Sequence, residues 1–423
     1  MHTPRLTYAH MLAPINAKHV ESLVEFFERG INDPSSTGFG VEIEHLPVRN
    51  ANDAAVSYFD RNGVEMVMNR IRPFYDKSKE YWENGHLVGL GREGIGISLE
   101  PGGQIEVSIG IIHSPQELRA IYNRFRKEID PVMADLGMRL VEYGYQPKTL
   151  AADITVNPKN RYKAMTEYLG RIGQFGPCMM RGSASTQVSI DYFSERDAIE
   201  KSRVGTAIGP ILAWYYRNTP FFEGSRNEWP LMRQRMWAVL DVNRTGVTPG
   251  LFDERFSWED YAVNVLSTPM MFADLTHTPE TSGLPESRRE FVEFHRNASE
   301  IYPDRKLNDY EINHVLSTHF NDVRLKNFLE LRHWDSLPVE RAERLTATVG
   351  ELFYDREKFD KLVDYFSGLR EEDVIEAKAT IQSHGATAKP YGEDFAFWHD
   401  FLNIGDTRED VPGDALHPEV FQR

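Results

Sequence analysis

Four stretches between residues 41 and 332 alternate aliphatic side chains with acids, amides or bases, and a two-residue repeat of that kind describes a sheet with one dry and one polar face. They are Val41-Glu42-Ile43-Glu44, Gln104-Ile105-Glu106-Val107-Ser108, Thr186-Gln187-Val188-Ser189-Ile190-Asp191, and Val323-Arg324-Leu325-Lys326 continuing to Leu329-Glu330-Leu331-Arg332. One such strand is an ordinary solvated edge. Four of them, with polar positions drawn from Glu, Gln, Asp and Arg, predict an open sheet face suited to divalent metal and an anionic ligand.

Glu42 and Glu44 lie two apart, so both carboxylates leave the strand on one side, about 7 Å apart at the backbone. Like charges that close destabilise a sheet unless a cation stands between them. A solvent-facing strand is the plain alternative. Recurrence of the pattern at Glu106 and Glu330 favours a shared hard cation, and magnesium is the ion that carboxylates and nucleotide phosphates commonly share.

Composition limits the other possibilities. The 423 residues suit one large α/β unit with helical additions, or two tightly packed domains. With 41% hydrophobic and 26% charged residues the chain reads as globular, and no apolar run is long enough to span a bilayer. The formal charge of −16 argues against nucleic acid as a partner and requires local arginines or metal for any anionic ligand. A single cysteine, Cys178, excludes an internal disulfide and a multi-cysteine zinc site. No histidine lies near it in sequence, so a small buried hydrophobe is the expected role rather than a nucleophile. Histidines at zinc-ligand spacing are lacking. The opening Met-His-Thr-Pro-Arg-Leu has no apolar signal core, which makes cytosolic residence the default expectation.

Along the chain, helices are expected at 17–29 with a cap near Asn16, at 53–59 and 65–72, at 114–142, at 196–216, and through the charged tail 339–382. Gly89-x-Gly91-x-x-Gly94 superficially matches a dinucleotide fingerprint, but it leads into a strand, so a hairpin is the better reading. Glu100-Pro101-Gly102-Gly103 fits a type II turn with Gly102 third. Arg181, after Met179-Met180, and Arg233, within Leu231–Trp237, are the other arginines whose planar forks suit carboxylate or phosphate; helix-face ion pairs are the plain alternative for such clusters.

Taken together and in order, these stretches resemble the plant-type glutamate–cysteine ligase family. The most specific element is Ser98-Leu99-Glu100-Pro101-Gly102-Gly103-Gln104-Ile105-Glu106; Gly40–Glu44, Met179–Arg181 with Gln187–Asp191, Asn218–Gly224, Arg233–Gly246 and Asp322–Arg332 add to it. The resemblance implies an α+β fold like that of glutamine synthetase: a curved, largely antiparallel sheet forming a funnel, with helices packed outside. It implies a catalytic domain over 1–340 and a mostly helical region over 341–423 packed on it. The implied reaction uses ATP to convert the glutamate γ-carboxylate to a γ-glutamyl phosphate, which an amine, cysteine's in the type reaction, then displaces.

By position, Glu42, Glu44, Glu106 and Glu330 would hold magnesium, and Gln104, Gln187 and Arg332 would contact the nucleotide. Arg332 and Arg324 would neutralise the transferring phosphoryl group, while Arg181 and Arg233 would grip glutamate. Two stretches depart from the family pattern, Gly182–Thr186 and His333–Ser336, and they bear on which amine is joined. With one cysteine, the redox-switch disulfides of plant members cannot form. The rivals are a γ-glutamyl ligase for another amine or amino acid, a guanidino-kinase-like phosphotransferase, and a non-catalytic nucleotide- or glutamate-binding protein. Oligomeric state is not legible from the sequence.

Overall fold

The computed structural model describes residues 15–405. The opening Met-His-Thr-Pro-Arg-Leu and the residues after 405 in the proposed 341–423 region lie outside that range. Among the described residues nine strands form one sheet. They are β1 (Phe39–Arg49), β2 (Tyr81–Glu83), β3 (His86–Arg92), β4 (Ile95–Leu99), β5 (Ile105–Ile112), β6 (Met138–Val141), β7 (Ser185–Ile190), β8 (Val323–Leu325) and β9 (Leu329–Asp335). The spatial order is β8-β9-β7-β1-β5-β4-β3-β2, with β6 also paired to β1, and every neighbouring pair in this sheet is antiparallel. The fold is therefore α+β, built on an antiparallel sheet.

The alternation decides which face is dry. Val41, Ile43, Ile105, Val107, Val188, Ile190, Leu329 and Leu331 are buried in the main core. They share it with Leu118, Phe125 and Ile129 of α3 (Pro115–Asp135) and with the apolar residues of the long α5 (Glu195–Tyr215). Each such side chain taken from water stabilises the fold by roughly 1.5–3 kcal/mol, so the periodicity fixes the register and turns every intervening polar residue to the opposite face.

Other helices frame that arrangement. They are α1 (Ala17–Glu28), α2 (Val64–Ile71), α4 (Asn160–Ile172), α6 (Met232–Ala238), α7 (Trp258–Ser267) and α8 (Asp309–Ser317). The tail supplies α9 (Val339–Tyr354), α10 (Arg356–Tyr365), α11 (Glu371–His384) and α12 (Phe395–Phe401). Asn16 caps α1 by accepting from the Lys18 N–H at 2.9 Å, as its position suggests.

Three local expectations change. Residues 53–59 form no helix, because Asp53 has a positive φ of 58° and the stretch folds as turns and a bridge to Val48. The helix expected to reach 142 stops at Asp135; Gly137 turns the chain at φ 72° and the remaining residues become β6 against β1. The Glu100–Gly103 turn is closed by a 2.8 Å hydrogen bond from Gly103 N–H to Glu100 O, but the positive φ of 87° falls on Gly103 rather than Gly102. It is thus not type II. Gly102 is required for a different reason: a Cβ there would stand 2.3 Å from the Arg181 carbonyl oxygen.

Candidate active site

The polar face is a grid. Glu42 on β1 lies opposite Ser108 of β5 and Gln187 of β7, and Glu44 lies opposite Glu106 of β5, which faces Ser98 of β4. Glu330 on β9 faces Ser189 of β7. Toward β3 the same rows continue as Gly96, Gly91 and Gly89. The glycine-rich stretch is therefore a hairpin, and its glycines make a floor without side chains.

The acids on this face are held by small donors. Glu44 accepts from the Ser185 N–H at 2.7 Å and hydroxyl at 2.8 Å, with the Gln187 amide at 3.4 Å. Glu106 accepts from the Ser98 hydroxyl at 2.8 Å. Burial and the Glu100 carboxylate push Glu44 up to about 7. Burial and the neighbouring Glu42, Glu100 and Glu44 push Glu106 well above the usual carboxylate range. Burial, then Glu330, raises Glu42 as well.

Glu330 behaves oppositely. Arg324 donates to it from Nε at 2.6 Å, Arg332 from Nη1 at 2.8 Å, and Lys326 Nζ stands 3.4 Å away. Burial alone would raise its carboxyl, but these three cations outweigh burial and depress it strongly. The four glutamates expected to act together therefore fall into two electrostatic classes: at Glu42, Glu44 and Glu106 burial and neighbouring acids outweigh the nearby cations, whereas at Glu330 the cations prevail. A bulge in β9 sets this up. Leu331 pairs with Val188 and Trp334 with Thr186, so Arg332 and His333 together face Gln187. Arg332 bonds the Gln187 side-chain oxygen, and its N–H donates to the Asp322 carbonyl at 3.0 Å.

The remaining expected residues are placed as follows. The Gln104 amide is occupied by backbone: its oxygen accepts from Gly102 N–H at 2.7 Å and its nitrogen donates to Ser183 O at 2.8 Å. It ties the Pro101-Gly102 turn to the segment entering β7. Arg181 sits in the turn Cys178–Gly182; its Nη1 donates to Ile154 O at 3.3 Å and its Nε has no partner. Arg233 on α6 is buried with Nε 3.3 Å from the Arg332 carbonyl, and burial lowers it to about 10. Its neighbour Gln234 is buried with both amide atoms unpartnered, as are both ring nitrogens of His333. Arg233, Gln234, Asp322, Arg332 and His333 border one small void of about 20 Å³. Cys178 is half-buried, and burial pushes its thiol up, which does not favour a nucleophile.

A cavity of about 1310 Å³ opens over the glycine floor, bordered by Gly40, Glu42, Gly89, Gly91, Gly96 and Ser98, with Tyr81 and Trp82 at its rim. That exceeds the usual volume of a small-molecule pocket. As they stand, no three His, Cys, Asp or Glu groups among the described residues are grouped closely enough to hold a metal. Their chemistry nevertheless fits a hard cation: buried, all-oxygen, and destabilised by mutual repulsion.

Sequence reasoning missed three participants. Glu100 touches the acid group electrostatically and accepts from Tyr162 Oη at 3.1 Å. Lys159, just before α4, and Arg161, in its first turn, line the same cavity. Glu100 carried a signal, since Glu100 and Gln104 flank the turn and Gln104 shares its parity with Glu106. The α4 cations carried none, because only the tertiary fold brings that helix over β4.

Comparison with known proteins places this geometry. The model of the glutamate-cysteine ligase family 2 matches residues 38–391. The chloroplastic glutamate–cysteine ligase of Medicago truncatula is 30% identical over 85% of this chain and 70% of its own length. Glutamate–cysteine ligase B of Oryza sativa subsp. japonica, also chloroplastic, is 33% identical over 79% of this chain and 64% of its own. Among solved structures, a glutamate–cysteine ligase from Francisella tularensis in complex with AMP superposes with a TM-score of 0.48 at 12% identity, over 89% of this chain and 79% of that one. That likeness is too loose to weigh on function. The cytosolic expectation is corrected here: these plant relatives are chloroplastic. A missing apolar core speaks only to the secretory route, since plastid-targeting segments are amphipathic and Arg- and Ser-rich. No described helix is long and apolar enough to cross a membrane.

Proposed function

The chain belongs to glutamate-cysteine ligase family 2, and from that premise we propose that it joins the γ-carboxylate of glutamate to the amine of cysteine with ATP, through a γ-glutamyl phosphate. Family membership sets aside the guanidino-kinase and binding-protein readings. One observation carries the proposal: a single sheet face bears an under-compensated carboxylate group at β1 and β5 and an over-compensated cation group at β8 and β9, beside a cavity large enough for a nucleotide. Phosphoryl transfer needs positioning and charge neutralisation more than a protein nucleophile.

In this reading Glu42, Glu44 and Glu106, with Glu100 beside them, hold magnesium. The ion, when bound, neutralises the phosphate oxygens and the charge that develops on them. Glu330 acts through its ion pairs, aligning Arg324, Lys326 and Arg332 so that the two guanidinium groups face the transferring phosphoryl group. Gln187 fixes the Arg332 fork from the other side. Gln104 keeps the turn below the nucleotide in place rather than touching it. The purine lies over the glycine floor near Tyr81 and Trp82. Arg233 and Arg181 supply the charge for substrate carboxylate, and Arg233 does so from a buried position where an unpaired cation seeks an anion.

The test is phosphate release from Mg-ATP with L-glutamate, with and without L-cysteine, followed by mass spectrometry. Cysteine-dependent phosphate and a γ-glutamylcysteine mass are expected. Turnover only with another amine would retain the chemistry and reassign the acceptor, to which the Ser183–Ser185 run and His333 bear. No glutamate-dependent phosphate with any amine would overturn the proposal.

A further inference from the structure

Three cations share Glu330, and they are not held alike. Arg324 reaches the carboxylate Oε2 through Nε at 2.6 Å, and its Nη1 donates to the His319 carbonyl at 3.0 Å. Arg332 reaches the same oxygen through Nη1 at 2.8 Å, and that nitrogen also bonds the Gln187 side-chain oxygen. Both guanidinium groups are therefore tied at two points. Lys326 alone addresses Oε1, at 3.4 Å, which is beyond the usual length of an N–H···O bond. An ammonium has three N–H donors, and this long contact is the one hydrogen bond its Nζ makes among the described residues. Its side chain is also the most accessible of the three, 18% exposed against 9% for Arg324 and 10% for Arg332.

The base of Lys326 is fixed while its tip is free. Val323 and Leu325 enter the core, so alternation sends Lys326 to the same face as Arg324. Its N–H donates to the Phe328 carbonyl at 2.8 Å, and its own carbonyl accepts from Tyr192 Oη at 3.0 Å. Asn327 and Phe328, which follow it, border the large cavity together with Gly40, Glu42 and Ser189. Ser189 lies opposite Glu330, and Gly40 lies opposite Ser189. The row leading from Glu330 toward β1 thus carries only a hydroxymethyl group and a hydrogen, which leaves the four-carbon stem of the lysine room to turn. Charge points the same way. Of the cations that lower Glu42, Lys326 acts most strongly, ahead of Arg332 and Arg324. Its ammonium therefore serves both the carboxylate group and Glu330, where the two halves of the site meet.

That double service ends when Glu42 is engaged in holding magnesium, and Glu330 keeps two guanidinium partners without the lysine. We propose that Lys326 is a catalytic residue whose ammonium leaves Glu330 Oε1 for a non-bridging oxygen of the ATP γ-phosphoryl group and stays on that group during transfer. In this step a glutamate γ-carboxylate oxygen bonds to the γ-phosphorus, the bond to the β,γ-bridging oxygen breaks, and its electron pair departs on ADP. No proton moves, and Lys326 supplies charge and position alone. The inference rests on the ligase reading, in which only the two arginines face the phosphoryl group, and adds a third, mobile cation.

The test compares full-length wild type with Lys326→Met, Lys326→Gln and Lys326→Arg. Calorimetric titrations with Mg-ADP and with the magnesium complex of the β,γ-imido analogue of ATP measure what the γ-phosphoryl group adds to affinity. In Lys326→Met the Mg-ADP affinity should stay within about twofold of wild type while the analogue loses about tenfold. Its kcat should fall by about a hundredfold, as for loss of one donor to developing charge, with the glutamate KM little changed. Lys326→Gln can still donate to Glu330, so the same losses are expected there if the lysine touches phosphate, and wild-type turnover if it only supports Glu330. Lys326→Arg should recover part of the analogue affinity. Thermal midpoints confirm folding, and the glutamine variant carries the test should the methionine variant lose its transition. Wild-type analogue affinity and kcat in a folded charge-removing variant overturn the inference. Equal loss of Mg-ADP and analogue affinity overturns it too, since the lysine would then support the nucleotide site as a whole. A wild-type enzyme that binds the analogue but releases no glutamate-dependent phosphate sinks the ligase reading instead.

Discussion

Glu330 and Glu106 sit on one sheet face yet respond in opposite directions to losing their charge. Replacing Glu330 with Gln leaves Arg324, Lys326 and Arg332 buried without their shared carboxylate, and breaking such a group costs about 3–5 kcal/mol. Denaturant unfolding of Glu330→Gln should show that loss. Glu106→Gln removes one of several mutually repelling acids, so the metal-free protein should be as stable as wild type or more so, while magnesium-dependent turnover vanishes. A stable Glu106→Gln enzyme with near-normal turnover would refute its role. The pH dependence follows from the same repulsion. Glu44 is raised from 4.5 to about 7, so below 4.5 both folded and unfolded chains carry the proton. Between these values only the folded chain keeps it, and stability falls as pH rises through the window. The shift corresponds to about 3 kcal/mol. Glu330 is depressed instead and loses its contribution only on the acid side, so the two effects separate. The thermal midpoint of metal-free wild type, measured against Glu44→Gln, should decline from pH 5 to 7.5. Magnesium should reverse the decline, because the ion replaces the proton. A flat difference would mean that Glu44 is not strained.

At the scale of elements, β3 and β4 show how a weak motif becomes a surface. Gly96 lies between Ser108 and Gly91, and a Cβ there would meet nothing within 4 Å. Gly96→Val therefore adds a strand-favouring side chain at no cost in packing, and fills the cavity floor. The thermal midpoint should hold or rise while the KM for Mg-ATP increases at least tenfold and the glutamate KM stays put. Wild-type ATP kinetics in that variant would move the purine elsewhere. The polar strands were legible because period-two alternation is a property of local sequence. What alternation could not show was the β9 bulge, which places Arg332 and His333 opposite one residue; a bulge is a relation between two strands. Gly137 ended α3 where helical periodicity continued, since the stretch after it gains a sheet partner in β1. The Lys159–Arg161 turn was invisible for the same reason: its neighbours, Leu99 and Glu100, are some sixty residues away.

The charged tail belongs to the site's support as much as to the surface. On the dry face of the sheet, Leu345, Val349 and Leu352 of α9 enter the main core, and a Cβ on Gly350 would stand 2.8 Å from the Phe39 ring. On α11, Lys378 pairs with the partly buried Asp322, and Gln382 donates to the Leu231 carbonyl at 2.6 Å. The backbone carbonyl of Asp322 in turn accepts from the backbone N–H of Arg332, so the tail reaches Arg332 through two contacts. A division at residue 340 would strip apolar cover from the sheet and leave Asp322 charged and unpaired. We therefore expect residues 1–340 and the helical tail to unfold as one unit, with a single transition seen alike by circular dichroism and tryptophan fluorescence. A chain ended at 340 should show no cooperative transition, whereas two separated transitions in the full chain would establish independent domains. Lys378→Met isolates the polar part of this coupling, because the methionine keeps the packing of the stem. It should lower kcat more than it raises either substrate's KM, since Arg332 would lose its fixed position while the binding surfaces remain. An effect on the thermal midpoint alone, with kcat unchanged, would reduce the tail to a structural cover.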